Sequence, residues 1–225
     1  MIPLKTSIAH KKFPLVTLAL ISANCLVFLY ELSHGHNITT ILQTAAVIPA
    51  KYFTDQVVPV SLVIPLFSSM FLHASILHIL SNMWFLWIFG QDVEARMGRR
   101  NFFLFYISCG ILASLTHIMI NATSHVPVIG ASGAIAGVLG SYIFLFPRSQ
   151  VITLVPIFVF LSVIKIPSLF LLGYWFLLQF LNGMATIGRT QNIGGIAWWV
   201  HIAGFISGAV LLLVFAPSKR RRTIE

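Results

Sequence analysis

Six stretches of this chain are apolar over nearly the thickness of a bilayer: Phe13–Leu32, Phe71–Gly90, Phe102–Asn121, Ala131–Phe146, Ile166–Leu181 and Trp198–Phe215. Crossing about 30 Å of hydrocarbon at 1.5 Å per residue takes roughly 20 mostly apolar residues in a helix. The composition agrees, with 58% hydrophobic and only 8% charged side chains, where a soluble domain carries about 25% charged residues. The expected fold class is therefore all-α, a polytopic membrane protein with six transmembrane helices. A seventh apolar stretch, Val151–Ile164, contains Pro156 and is bounded by Lys165 and Pro167. It reads as interfacial or re-entrant. Disorder, a collagen-like chain and a disulfide scaffold are excluded, because the 2 cysteines cannot staple a chain this long. Cys25 and Cys109 lie inside apolar runs and read as reduced packing residues.

The formal net charge of +9 invites a nucleic-acid reading until its placement is considered. The first run follows Lys5, Lys11 and Lys12 and has no small-residue cleavage site, so it reads as a retained signal anchor with the N-terminus inside. Lys5, Lys11, Lys12, Arg96, Arg99, Arg100, Arg148, Lys165 and Lys219 to Arg222 then lie inside, and only Lys51 and Arg189 outside. This is the positive-inside pattern of a membrane protein. The charge thus encodes orientation, with anionic lipid as a secondary contact and no nucleic-acid partner. The expected organisation is a cytoplasmic N-terminal segment (1–12), a membrane domain (13–217) and a basic cytoplasmic tail (218–225), in a bacterial inner (plasma) membrane. Pro49, Pro59 and Pro65 break any long helix in the first outer loop, Ser33 to Met70, which should lie on the membrane surface. No internal repeat supports a transporter of inverted-repeat type.

Strongly polar side chains inside spans are functional candidates by default. His78 and Asn82, four residues apart, share one face of the second span. Ser132 opens the fourth span within Gly130-Ala131-Ser132-Gly133, and His201 lies in the first turn of the sixth. These three spans run from outside to inside, so the four residues fall at one depth in the outer half of the bilayer. The fourth span is about 24 Å long, which sinks Ser132 below the surface. Irregular backbone at that depth must be buried in protein or line water. Gly133, Gly137 and Gly140 on the fourth span, with Gly204 and Gly208 on the sixth, form small-residue faces that let helices approach closely.

Singly, each residue has an ordinary explanation: a serine bonded to its own turn, an interfacial histidine, a His/Asn pair gluing helices. Their conjunction is what a serine nucleophile needs, namely a base and an oxyanion site. The zinc-protease pattern His-Glu-x-x-His is absent. The acids Glu31, Asp55, Asp92, Glu94 and Glu225 all lie at span ends or in loops, which disfavours aspartyl chemistry. Only Asp55 approaches His201 in depth, so a Ser–His dyad is preferred to a triad. A metal site of His73, His78 and His201 is the alternative chemistry; the preferred reading needs neither metal nor cofactor.

These residues resemble the rhomboid family of intramembrane serine proteases. The resemblance is carried by His78-x-x-x-Asn82, by Gly130-x-Ser132-Gly133 and by His201-x-x-Gly204-x-x-x-Gly208, in that order along the chain. It implies a six-transmembrane-helix rhomboid-like bundle. Ser132 would be the nucleophile and His201 the base, and the oxyanion would be held by His78, Asn82 and the Ser132 N–H. Glu94, within a loop-like Gly90 to Gly98 segment, would tie inner helix ends together. The first loop would lie in the outer leaflet, and span five with the fifth loop would act as a gate. Substrates would be single-pass or polytopic membrane proteins cut near the outer leaflet; the alternative is a non-catalytic rhomboid-like protein that binds transmembrane clients. Two features depart from well-known members: Ala136 stands where an aromatic follows the nucleophile by four positions, and Ile64-Pro65 stand near a usual Trp-Arg pair.

Overall fold

A computed structural model describes residues 1–9, 13–35, 38–54, 59–157, 160–186 and 198–215. Asp55, Lys11, Lys12, Arg189, most of the expected fifth loop and the expected tail lie outside the described residues. A helix stands at each of the six expected spans: α1 (Leu15–Ser33), α4 (Ile76–Phe85), α6 (Arg99–Ile120), α7 (Ser132–Leu145), α8 (Ser168–Ala185) and α9 (Trp198–Phe215). α4 runs through a π-turn at Leu86–Gly90 into α5 (Gln91–Met97). The loop-like segment between Gly90 and Gly98 is thus mostly helix, and it ends at Gly98, whose φ of 84° suits a residue without a side chain.

Four of these helices (α1, α6, α8 and α9) are individually long and apolar enough to cross a bilayer. The bent pair Val60–Phe71 and Ile76–Met97, at 81°, makes five if it is one crossing. α7 is shorter, 14 residues or about 21 Å, and almost wholly buried. Leu26, Leu29, Phe170, Leu213 and Val214 are exposed on α1, α8 and α9. Such surfaces are normal where hydrocarbon is the solvent, and the chain is an integral multi-pass membrane protein. The outer loop folds as short pieces, α2 (Ile38–Ala45), a 3₁₀ turn (Pro49–Phe53) and α3 (Pro59–Ser68). On α3, Val60, Val63, Ile64 and Phe67 expose one apolar stripe at helical spacing, as a segment lying in the bilayer interface would.

The interfacial or re-entrant reading of Val151–Ile164 is corrected. Gln150–Ile157 (β2) and Phe160–Pro167 (β3) pair antiparallel, and β1 (Ile2–Thr6) adds a third strand in the order β1-β2-β3. The stretch is rich in Val, Ile and Thr, which favour a pleated, half-buried surface, and hydropathy alone cannot separate such a hairpin from membrane-embedded chain. Val151 and Thr153 are fully buried, so one face of the sheet packs on the bundle.

Two carboxylates join the sheet and helices at this end. Asp92 Oδ2 accepts from Thr6 Oγ1 at 2.8 Å and from Tyr142 OH at 2.9 Å, linking β1, α5 and α7. Glu94 accepts from the Val16 and Thr17 N–H groups at 3.0 and 2.8 Å and from Thr17 Oγ1 at 2.8 Å. It thereby satisfies first-turn donors of α1 that have no intrahelical acceptor, with an anion at the favoured end of the helix dipole.

The tightest packing lies between α7 and α9. A Cβ on Gly204 would collide with the Gly133 carbonyl, one on Gly208 with the Gly137 carbonyl, and one on Gly140 with the Phe205 carbonyl. Buried Cys109 of α6 packs against Gly137; Cys25 is exposed on α1, and neither cysteine is paired.

Glu94→Ala should lower stability by about 1–3 kcal/mol, the cost of leaving buried donors without an acceptor. Thermal unfolding in detergent micelles checks this; an unchanged midpoint would mean that the α1 cap contributes nothing.

Candidate active site

The glycine contact between α7 and α9 places the first turns of the two helices side by side. Ser132 begins α7, and its hydroxyl lies 2.8 Å from His201 Nε2. Both residues are only partly buried, so the pair is packed yet reachable. On its other side His201 Nδ1 lies 2.7 Å from Gln179 Oε1, contributed by α8. A carboxamide oxygen only accepts, so Nδ1 carries the imidazole proton and donates it to Gln179. The Nε2 lone pair then accepts from the Ser132 hydroxyl. The resulting line, Ser132 to His201 to Gln179, has the order that a nucleophile, a base and a group orienting the base would take.

The loop before α7 is held from two sides. Val47 and Val128 exchange backbone hydrogen bonds at 3.2 and 2.7 Å, the Ala50 N–H donates to the Ser124 carbonyl, and the Gly130 N–H donates to the Ser69 carbonyl at 2.8 Å. The outer loop thus positions the segment that leads into Ser132. Gly130 has φ 118°, a conformation that disfavours any side chain. The space is also taken, because a Cβ there would sit 2.8 Å from His78 Nε2 and 3.7 Å from Asn82 Nδ2.

His78 and Asn82 therefore both reach the approach to Ser132 from α4. The Ser75 hydroxyl caps that helix by accepting from the His78 N–H at 3.2 Å. Asn82 is buried, and its Nδ2 group has no hydrogen-bond partner among the described residues. A buried N–H₂ left free is costly, and close to a serine hydroxyl it is the kind of donor that can stabilise an oxygen becoming negative. As the first residue of α7, Ser132 also has a backbone N–H without an intrahelical acceptor.

His73 sits just before α4 instead of within the span. Its N–H donates to the buried Glu31 carboxylate at 3.1 Å, and its ring meets that of His78 edge-on at 5.0 Å. Among the described residues no three His, Cys, Asp or Glu side chains converge as a metal ion would require, so His73, His78 and His201 do not form the alternative metal site. Asp55, the acid considered as an assistant to His201, lies outside the described residues.

Sequence reasoning missed Gln179 and Trp175. The Trp175 ring lies 5.8 Å from that of His201, and Trp198 approaches edge-on at 6.4 Å. Aromatic packing on the imidazole therefore comes from α8 and α9, while Ala136 is buried inside α7. A polar Gln179 within the apolar fifth run was the available signal.

Asn82→Leu removes the unpartnered donor at similar volume, so its unfolding midpoint should match or exceed that of the wild type, by up to about 1–3 kcal/mol of stability. A marked drop would show that the Asn82 amide is a structural bond and not a free donor.

The Rhomboid domain family model matches residues 61–218, a range that contains His78, Asn82, Ser132, Gln179 and His201. The chain is 30% identical over 166 residues to Rhomboid protein 1, mitochondrial, of Saccharomyces cerevisiae, covering 71% of this chain and 44% of that protein. It is 31% identical over 154 residues to Rhomboid protease GluP of Bacillus subtilis, covering 68% and 27%. It is 32% identical over 113 residues to Presenilin-associated rhomboid-like protein A, mitochondrial, of Danio rerio, covering 49% and 30%. The matched regions thus span less than half the length of each of these relatives. Two of the three are mitochondrial, so these relatives do not favour the expected bacterial plasma membrane. With a family model matched over more than half its length and the expected helical bundle in place, the chain belongs to the rhomboid family.

Proposed function

We propose that the chain is an intramembrane serine endopeptidase that cuts transmembrane segments of membrane proteins near the outer leaflet. The observation that carries this reading is the 2.8 Å contact between Ser132 Oγ and His201 Nε2 beside the unpartnered Asn82 donor. The name of the GluP relative, a rhomboid protease, agrees with it. In this reading Ser132 Oγ attacks the scissile carbonyl carbon as its proton passes to His201 Nε2. The tetrahedral oxyanion is held by the Asn82 amide, the His78 ring N–H and the Ser132 backbone N–H. Collapse breaks the C–N bond, and His201 returns the proton to the leaving amine. A water that gives its proton to His201 then attacks the ester, and Ser132 recovers its proton as the acid product leaves.

The peptide bond must leave its own helix to reach Ser132. Favoured substrates therefore carry Gly, Pro or other helix-weakening residues near the outer leaflet, with a small residue before the cut. The proposed organisation is 1–12 as an inner segment that contributes β1, 13–217 as the membrane domain and 218–225 as a basic inner tail. Placement of both termini on the inner side rests on the distribution of Lys and Arg.

Purified protein should cleave a model transmembrane substrate, and Ser132→Ala and His201→Ala should abolish cleavage. Asn82→Ala should retain residual activity, reduced by about 10²–10³-fold, the cost of losing one oxyanion donor in a comparable acyl-transfer site. Normal cleavage by His201→Ala would overturn the dyad. A wild type that binds transmembrane clients but never cleaves them would favour the non-catalytic alternative.

A further inference from the structure

The contact on the far side of His201 has no role in a simple serine–histidine pair. We propose that Gln179 is a positioning residue that holds the His201 imidazole in the Nδ1–H tautomer and aims Nε2 at Ser132. The proposal rests on the hydrolase reading above. Gln179 is 7% exposed in a helix whose neighbouring side chains are Leu177, Leu178, Phe180 and Leu181. A carboxamide buried in that setting is costly unless it is hydrogen-bonded. The partner it finds is the Nδ1–H of the one imidazole that touches the nucleophile. Without an acceptor there, His201 would be free to move its proton to Nε2, and Nε2 could then no longer accept from Ser132.

Several features favour this role over simple helix glue. Trp175 lies one turn before Gln179 on the same face of α8, and its ring packs beside the imidazole. A single helix thus supplies both the hydrogen bond and an aromatic wall for the base. The titratable groups acting electrostatically on His201 are His78 of α4 and His117 of α6; its hydrogen-bond and ring partners among the described residues are Ser132 of α7, Gln179 and Trp175 of α8, and Trp198 of its own helix. No described carboxylate hydrogen-bonds the ring. A neutral amide orients the imidazole without adding an ion to a low-dielectric site, where an unbalanced charge is expensive. It also makes the base depend on the position of α8, since a shift of that helix removes Gln179 and Trp175 together.

The test uses the full chain with Gln179→Leu, which lacks an acceptor, and Gln179→Glu, which keeps one. Cleavage of a model transmembrane substrate is measured beside ¹⁵N NMR of histidine-labelled protein, with the His201 signals identified by their loss in His201→Ala. In the wild type His201 should show protonated Nδ1 and unprotonated Nε2. Gln179→Leu should lose the single-tautomer signature and about tenfold or more in kcat, with KM nearly unchanged, because a base in the wrong tautomer is a poor catalyst. Gln179→Glu should restore most of kcat. A Gln179→Leu protein with wild-type kcat and tautomer, or one whose loss Gln179→Glu does not relieve, overturns the proposal. Failure of the wild type to cleave any substrate defeats the hydrolase reading instead, and the NMR comparison still decides the role of Gln179.

Discussion

Backbone contact between α7 and α9 is the constraint on which the rest of this structure depends. Lipid offers little hydrophobic drive for helices to associate, so close packing of small residues must supply it. Gly133, Gly137 and Gly140 on one helix and Gly204 and Gly208 on the other clear the crossing; a Cβ on Gly140, Gly204 or Gly208 would meet a carbonyl of the facing helix, and one on Gly133 or Gly137 would meet the Val200, Ala113 or Cys109 side chains. Ser132 and His201 sit at the matching ends of these glycine faces. The hydrogen bond between them therefore follows from helix approach, and a side chain in the crossing would separate the pair before touching either residue.

Around this crossing the chain spends polar groups sparingly. At one end Asp92 and Glu94 collect donors from β1, α1 and α7, fixing the scaffold by bonds that are satisfied on both sides. At the other end Asn82 offers a donor with no partner, and Gly130 adopts a backbone conformation reserved for glycine. Satisfied polar groups stabilise, while the unpartnered Asn82 amide is a standing cost close to Ser132. This division is expected where stability is given up locally for function.

The helical bundle was legible in the sequence because six apolar runs admit few other folds, and a helix stands at each of them. Ser132, His78, Asn82 and His201 stood out because a polar residue in a span is exceptional, and the charge distribution put all four at one depth. The hairpin was not legible as such. Its apolar Val and Ile residues raise hydropathy as a membrane helix does, and its pairing with residues 2–6 is a long-range fact that no local window contains. Gln179 broke the composition of the fifth run just as the other four residues broke theirs. Its signal is weaker in sequence because it lies two thirds of the way along α8, whereas Ser132 and His201 open their spans. The aromatic packing on His201 was likewise not legible, with Ala136 in place of a ring; the rings come from Trp175 and Trp198.

The central claim is that Ser132 is a nucleophile activated by the imidazole beside it. Peptide mapping by mass spectrometry after treatment of the purified chain with a serine-reactive phosphonate tests this most directly. The account predicts one covalent adduct on the peptide containing Ser132 in the wild type, and none on that peptide in His201→Ala. An unmodified Ser132 in protein that retains its fold, or equal labelling of the wild type and Ser132→Ala, would contradict it.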